Sequence, residues 1–378
     1  MDVSTRVVTA VRAVPLERSR LLAVDWLRGL VMVLMTVDHA SSSFNAGRLF
    51  GDSAQSWVPG TALPVAQFFT RWVTHLCAPT FLFLAGYSLF ISVQRRKRDG
   101  TPEAEITRSI AARGLLIALL DPLWMVLVHR GQMVLQVLYA IGVSMVGMSV
   151  LRRLPARVCG ALGLLLIVLH EALATAFIHA DGVGRALLVL TLVPGRVGPF
   201  PVLYPALPWL AVMLLGWAAA DVARRDPAGF RVRLVVAGLV ALGVFVVVRG
   251  LNGYGNAGLF RDDASLIQWL HTAKYPASLA YLACELGIAW LLLAALWSAD
   301  LPVLVRAPLT VLGQTALFFY LLHYHLLRLA AWSTGLLHGA GLLATYLAAA
   351  LVIALLLPLC ERFRRYKQAH PDSLAKYI

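Results

Sequence analysis

Long runs of apolar residues, separated by short polar or basic stretches, fill almost the whole chain. Most runs are close to the ~20 residues that a helix needs to cross the hydrocarbon core of a bilayer. The pattern therefore predicts about ten transmembrane helices. Their approximate bounds are 21–40, 67–92, 111–128, 132–151, 157–178, 203–222, 232–249, 276–298, 309–328 and 340–359.

One apolar stretch does not fit this series. Residues 185–193 (RALLVLTLV) are too few to span a bilayer, and Pro194 and Gly195 end the run. We interpret the stretch as a re-entrant or interfacial segment rather than an eleventh helix.

Composition supports the membrane interpretation. Hydrophobic residues make up 60% of the 378, charged residues 14%, and the mean hydropathy is +0.76, a balance that a water-soluble core could not bury. The predicted fold class is an all-α integral membrane protein, a polytopic bundle. We expect a short N-terminal segment (1–20), one transmembrane domain (21–360) and a basic tail (361–378).

The net charge of +14 would suggest a nucleic-acid partner in a soluble protein. Here the basic residues form clusters between apolar runs, so topology explains them and no nucleic-acid partner is expected. With the clusters inside, both termini are cytoplasmic and residues 41–66, 179–202, 250–274 and 329–339 face outward. We expect a multi-pass protein of the inner (plasma) membrane, surrounded by membrane lipids.

The four cysteines lie far apart within or beside apolar segments and lack metal-ligand spacing, so we expect neither a disulfide nor a metal site. The first apolar run contains Asp25, Arg28 and Asp38, unlike the uncharged core of a cleaved signal peptide. The first helix is therefore expected to stay in the protein.

That first helix carries polar side chains at helical spacing. Asp25, Arg28, Met32, Thr36 and His39 fall on one stripe at 100° per residue. Arg28 and His39 are separated by ~16 Å along the axis. In one interpretation Arg28 pairs with Asp25 and reaches lipid phosphates; in the other, the intramembrane charges form a functional site.

The chain resembles a known family through five blocks of sequence in the family's order. They are VDWLRGLVMVLMTVDHA (24–40), RWVTHLCAPTFLFLAGYS (71–88), YPALPWLAVMLLGW (204–217), KYPASLAYL (274–282) and GQTALFFYLLHYH (313–325). In these blocks the sequence is similar to bacterial relatives of the heparan-alpha-glucosaminide N-acetyltransferase catalytic domain, within the transmembrane acyltransferase superfamily.

The resemblance implies transfer of an acyl group, most simply acetyl, from acyl-CoA on the cytosolic side to a hydroxyl or amino group of a sugar-like or lipid-linked acceptor outside. His39 matches the family's key histidine, and Asp38 or a neighbour would orient it. His39 would act as a general base or carry the acyl group covalently, and the sequence leaves both open. Arg28, with its partner Asp25, is the first candidate to bind the donor's phosphates, and the further candidates are Arg113, Arg108 and the cluster Arg95–Arg98.

Candidate acceptor-binding residues lie near the predicted outer ends of other helices. Arg71 and His75 are one turn apart, Lys274 and Tyr275 precede Pro276 at the predicted start of the eighth helix, and His323 lies in the ninth. Each also has a structural interpretation, as a packed histidine or a helix start. His325 faces away from His323, which argues against a shared metal site.

A transporter or lipid flippase is the alternative function, because a polar stripe can also line a permeation path. A non-catalytic membrane scaffold is a third, weaker reading. Soluble signatures such as a phosphate-binding glycine loop, HExxH or GxSxG are missing from the sequence. A homodimer is compatible with all of these readings.

Overall fold

The computed structural model describes residues 16–370, 372, 373 and 375. About 71% of the chain is helical. The helices are α1 (Leu16–Phe44), α2 (Val65–Trp72), α3 (Cys77–Arg98), α4 (Glu103–Leu123), α5 (Val137–Leu151), α6 (Ala156–Ala176), α7 (Gly182–Thr191), α8 (Ala206–Arg225), α9 (Phe230–Leu251), α10 (Leu266–Leu270), α11 (Leu279–Leu296), α12 (Val303–Gln314), α13 (Ala316–Ser333) and α14 (Leu342–Ala369). Two 3-10 turns, Val73–Leu76 and Met125–Leu127, extend α2 and α4.

Each predicted span overlaps at least one of these helices, and the protein is a multi-pass membrane protein. Within the described part of the chain, seven helical stretches are long and apolar enough to cross a bilayer, or eight if the α12–α13 pair is one span. Two predicted spans fall outside that set for physical reasons. α5 has only 15 residues, and α1 carries Asp25, Arg28 and Asp38.

The predicted ninth span, 309–328, is wrong as a single straight helix. α12 and α13 meet at an angle of 92°. Two close approaches fix the crossing of α12 over α1: a Cβ on Gly313 would lie 2.0 Å from the backbone oxygen of Asp25, and one on Gly29 would lie 2.2 Å from that of Leu309. Glycine at both positions lets the two backbones touch.

The predicted start of the eighth helix is also wrong. α11 begins at Leu279, where the Ser278 side chain accepts a hydrogen bond from the Tyr281 N–H. This serine cap satisfies a free N–H of the first turn, so the helix starts after Pro276 rather than at it. Lys274 and Tyr275 instead lie in a loop, where both backbone N–H groups donate to the Asp52 carbonyl.

The apolar stretch 185–193 lies mostly in α7, a ten-residue helix that is too short to span. A two-stranded antiparallel hairpin follows, formed by β1 (Gly195–Val197) and β2 (Phe200–Val202). The bundle is thus predominantly rather than strictly α-helical.

α1 lies at the centre of the bundle, in contact with α3, α11, α12, α13 and α14. Helices α3, α8 and α11 are mostly buried, whereas α6, α9 and α14 expose apolar faces that suit lipid. The polar stripe of α1 is therefore enclosed by protein on several sides. Most of the predicted N-terminal segment and the end of the basic tail lie outside the described residues.

Candidate functional site

Two cavities lie along α1, one near each end of its polar stripe. The arginine cavity, about 300 Å³, is lined by Arg28 and Met32, and the histidine cavity, about 290 Å³, by Met35, Asp38 and His39. Phe81, Val137 and Tyr320 line both cavities. The two cavities are therefore neighbours, and these three side chains belong to the lining of both.

Arg28 is held in the arginine cavity by three neighbours. Its Nη1 donates to Asp25 Oδ1 (2.9 Å) and to the Gly313 carbonyl (3.1 Å), and its Nη2 donates to Ser88 Oγ (2.6 Å). The Gln314 amide donates to the other Asp25 oxygen at 2.9 Å. The predicted Asp25–Arg28 pair thus exists, and it turns the guanidinium into the cavity rather than toward lipid.

Three further cations, Arg96, Arg113 and Lys367, line the same cavity, while its lining, as far as the chain is described, contains no Asp or Glu. Arg96 reaches Glu105 at 3.3 Å, on the exposed side. Among the described residues, Arg113 and Lys367 have no ion-pair or hydrogen-bond partner, and the Arg113 Nε is buried. Converging unpaired cations favour a polyanionic ligand.

Sequence reasoning named Arg28 and Arg113 but not Lys367 or Ser88. Lys367 was part of the basic tail cluster, and only the long helix α14, which continues to Ala369, brings it back to the cavity. Three serine hydroxyls, of Ser88, Ser92 and Ser109, also line the space. Helix spacing offered a weak signal for Ser88 and Ser92, which are four residues apart on α3.

His39 is paired with His323 in the histidine cavity. The His39 Nδ1 atom lies 2.7 Å from His323 Nε2, and the two rings are nearly coplanar, at 14°. His39 also stacks on Tyr324 with ring centroids 4.1 Å apart. Its Nε2 has no hydrogen-bond partner within the described chain. The imidazole is held at one nitrogen and free at the other.

Asp38 is turned away from the His39 ring. Its Oδ1 accepts hydrogen bonds from Arg71 Nη1 (2.5 Å), Arg48 Nη2 (2.9 Å) and Thr74 Oγ1 (3.2 Å). The residue that holds His39 is thus His323, whereas Asp38 organises two arginines at the cavity wall.

Asp52 completes this ionic network. Arg71 donates through Nε (2.7 Å) and Nη2 (2.5 Å) to Asp52 Oδ2, and His75 Nε2 lies 3.4 Å from Asp52 Oδ1 without hydrogen-bond geometry. Burial alone would raise the pKa of the Asp52 carboxyl, but Arg71 and His75 outweigh it and lower that pKa well below its ordinary range. Arg71 and His75 therefore approach the same carboxylate. Their spacing predicted only that they share a face.

Lys274 and Tyr275 face the same cavity from the loop before α11. Lys274 is buried, yet its ammonium group forms no hydrogen bond within the described chain and lies 5.6 Å from the Tyr275 ring centre. Burial would raise the pKa of the Tyr275 hydroxyl, but Lys274, Arg71 and a contact with Tyr204 lower it below its ordinary value. The ammonium is thus available to a ligand.

Several lining residues were not identified from the sequence: Arg48, Asp52, His129, Tyr320 and Tyr324. Arg48 and Asp52 are the only charged residues of the polar loop 41–66, which was a usable signal. The pKa of His129 falls to about 4 because of burial and the nearby Arg328 and His325, so this imidazole is neutral near pH 7.

His325 lies outside the histidine cavity, where its Nε2 contacts the Trp124 carbonyl at 3.2 Å. This placement agrees with its assignment to another face of the helix. Among the described residues, no group of three or more His, Cys, Asp or Glu side chains is arranged to hold a metal ion. The four cysteines are buried and free.

The family model for the catalytic region of heparan-alpha-glucosaminide N-acetyltransferase matches residues 20–247, more than half of the chain. The matched part includes both ends of the α1 stripe, the ionic network of Asp38, Arg71 and Asp52, and Arg113. No curated protein matches the sequence. The chain belongs to the family of heparan-alpha-glucosaminide N-acetyltransferase catalytic domains, a family of membrane acetyltransferase type.

Proposed function

We propose that this protein transfers an acyl group, most simply acetyl, from acyl-CoA in the arginine cavity to a hydroxyl or amino group of an acceptor in the histidine cavity. The observation that carries the proposal is the shared lining of the two neighbouring cavities by Phe81, Val137 and Tyr320. A cation-lined space on one side and an imidazole with a free nitrogen on the other are the parts that such a transfer needs.

The arginine cavity suits the donor because CoA carries a pyrophosphate and a 3′-phosphate. Arg28 offers a guanidinium fixed by Asp25 and Ser88, and Arg113 and Lys367 offer positive charges without partners in the described chain. Beyond these cations the lining becomes apolar toward Tyr320, with Met32, Phe81 and Leu317 among its residues. A thin pantetheine arm fits such a lining, which would bring its thioester to the side chains that the two cavities share.

In the general-base form of the reaction, the acceptor oxygen or nitrogen attacks the thioester carbonyl and the carbon–sulfur bond breaks. The acceptor proton passes to His39 Nε2 and then to the thiolate, which leaves as CoA thiol. Tyr320, which lines both cavities, is our candidate donor to the developing oxyanion.

In the covalent form, His39 Nε2 itself attacks the thioester, the carbon–sulfur bond breaks and CoA leaves as the thiolate. The acceptor then attacks the acyl-imidazolium, its proton passes to the thiolate or to solvent, and neutral His39 is restored. Both forms need the same free nitrogen, and both remain in the proposal.

The acceptor side of the proposal rests on Lys274 and Arg71. A buried ammonium with no partner in the described chain, beside several tyrosines, suits a polar, sugar-like molecule that presents hydrogen-bonding groups. The acceptor is free or lipid-linked. We assign His75 a supporting role through Asp52, and Asp38 a supporting role through Arg48 and Arg71.

Topology is part of the proposal. With the basic clusters inside, the arginine cavity opens to the cytosol and the histidine cavity outward, in the inner (plasma) membrane. The segment 21–360 is then one transmembrane acyltransferase domain with both termini cytoplasmic. Acyl groups made inside the cell would thus reach an outside acceptor while the CoA thiol product returns to the cytosol.

A transporter or flippase would need a path across the bilayer, and two neighbouring cavities along α1 are compatible with one. Purified protein incubated with acetyl-CoA separates the classes. An acyltransferase is stabilised against heat by CoA or acetyl-CoA and releases CoA thiol when acceptor sugars or water take the acyl group. If a well-folded sample shows no stabilisation by acetyl-CoA and no release of CoA thiol, the proposed function is rejected.

A further inference from the structure

Two hydrogen bonds in series connect His39 to a backbone carbonyl on α13. The His39 Nδ1 lies 2.7 Å from His323 Nε2, and the His323 Nδ1 lies 3.0 Å from the carbonyl oxygen of Phe319, one turn earlier in the same helix. His323 is fully buried, and its ring also stacks on Phe319 with centroids 5.0 Å apart. Its orientation is therefore fixed by packing.

The direction of each hydrogen bond follows from the chemistry of the groups. A carbonyl oxygen only accepts, so His323 Nδ1 carries the hydrogen. A neutral imidazole has one N–H, and His323 Nε2 is then an acceptor. His39 Nδ1 must donate to it, which leaves the His39 Nε2 without a hydrogen.

We infer that His323 is a positioning residue that fixes His39 in the tautomer with hydrogen on Nδ1 and a basic lone pair on Nε2. This inference rests on the proposed function, because it concerns how His39 performs the transfer. His39 lines the cavity where an acceptor would bind, and Nε2 is its nitrogen without a partner in the described chain. His323 acts through His39 and touches neither substrate.

The arrangement also assigns the site of the proton during turnover. When His39 takes the acceptor proton on Nε2, the Nδ1–H remains bonded to His323, so the imidazolium keeps a fixed orientation. The proton then leaves from Nε2 to the CoA thiolate, and His323 itself neither gains nor loses a proton. In a covalent relay the same Nε2 lone pair would attack the thioester.

Two substitutions separate positioning from packing. His323→Leu keeps an apolar side chain in the buried space but removes the acceptor for His39 Nδ1–H. His323→Gln keeps an acceptor oxygen and an N–H donor on a side chain of similar reach. His325→Leu is the matched control, because His325 lies two residues along the same helix and contacts the Trp124 carbonyl instead.

The readouts are acetyl-CoA turnover as a function of pH, the CoA-dependent thermal shift, and ¹⁵N NMR of histidine-labelled protein with the His39 signals assigned by their loss in His39→Gln. We expect wild-type His39 to show a hydrogen on Nδ1 only. His323→Leu should lose about 10²-fold or more in turnover and show mixed His39 tautomers, since losing the partner that orients a base costs up to about 10⁴-fold elsewhere. His323→Gln should recover much of the turnover, and all variants should keep the CoA thermal shift.

Wild-type turnover in folded His323→Leu, or a wild-type spectrum with the hydrogen on His39 Nε2, overturns the inference. If the wild-type protein consumes no acyl-CoA at all, the proposed function fails. The NMR measurement still tests the direction of the hydrogen bond in that case.

Discussion

The His39 Nδ1 atom lies 2.7 Å from His323 Nε2, although 284 residues separate the two histidines in sequence. One lies near the end of α1 and the other in the middle of α13. α12 and α13 bend by 92° at Thr315, and this bend accompanies the contact of both helices with α1. The candidate catalytic centre therefore depends on a long-range packing arrangement rather than on a local motif.

Replacement of His39 is expected to stop chemistry without unfolding the protein. His39→Ala removes the proposed base or acyl carrier, and turnover should fall at least ~10²-fold. CoA affinity should persist, because Arg28 lies ~16 Å away along the helix. The measurement is CoA thiol release together with the CoA-dependent thermal shift.

His325→Ala is the control for His39→Ala, since it removes an imidazole from outside the cavity. His325→Ala should leave both the rate of CoA thiol release and the CoA-dependent thermal shift unchanged. Wild-type turnover in well-folded His39→Ala would refute the assignment.

Apolar periodicity predicted most of the fold, because span length and the 3.6-residue repeat are local properties of the chain. It located a helix for each predicted span and placed Arg28 and His39 on one stripe. It missed the bend at Thr315, because the close approach of Gly313 to Asp25 is a contact between distant segments. It also missed the start of α11, where the serine cap at Ser278 was outweighed by the proline signal at Pro276.

Helix patterns identified most of the candidate residues, among them Arg28, Arg71, His75 and His323. Lys274 and Tyr275 were identified from an expected helix start that is a loop in the structure. Asp52 lies in a polar loop, and nothing local indicates that its carboxylate binds Arg71. Lys367 reaches the arginine cavity because α14 continues to Ala369. Neither packing relationship is encoded in a window of neighbouring residues.

Arg28 should bind the donor through its guanidinium geometry. Arg28→Ala is expected to weaken CoA binding more than Arg28→Lys, because lysine keeps a point charge but loses the fork that meets Asp25, Gly313 and Ser88. Titration calorimetry with CoA measures both. If both variants bind CoA with the wild-type affinity, Arg28 does not bind the donor and the donor site lies elsewhere.

Arg113 and Lys367 should behave differently from Arg28 toward folding. Neither has an acidic partner in the described chain, so Arg113→Gln or Lys367→Gln leaves no carboxylate unpaired and removes repulsion among like charges. We expect the melting temperature without ligand to stay the same or rise, while the CoA-dependent thermal shift shrinks, most visibly at low salt. If both variants keep the full CoA-dependent thermal shift, Arg113 and Lys367 do not belong to the donor site.

The proposed topology predicts which cysteines a membrane-impermeant maleimide can reach in intact cells. The four native cysteines are buried, so the wild-type protein should label poorly and serve as background. Gln55→Cys, exposed in the loop 45–64, should label from outside, whereas Arg98→Cys, at the end of α3, should label only after the membrane is opened. Labelling of Arg98→Cys in intact cells would reverse the orientation.

The ionic network around Asp52 should give a stability that depends on pH in a defined direction. Arg71 and His75 lower the folded-state pKa of Asp52 below its unfolded value of about 3.9. The folded state therefore binds fewer protons here, so the stabilisation is complete above pH ~4 and is lost as the pH falls below it toward the folded-state pKa. Asp52→Asn removes one carboxylate from the buried Arg71 and should lower stability by about 3 kcal/mol near pH 7. Thermal unfolding in detergent should show a stability difference between the wild type and Asp52→Asn that is constant from pH 8 to about pH 5. This gap in stability should narrow below pH ~4, because the unfolded wild-type carboxyl then takes up its proton. A gap that stays constant or widens below pH ~4 would contradict the role assigned to Asp52.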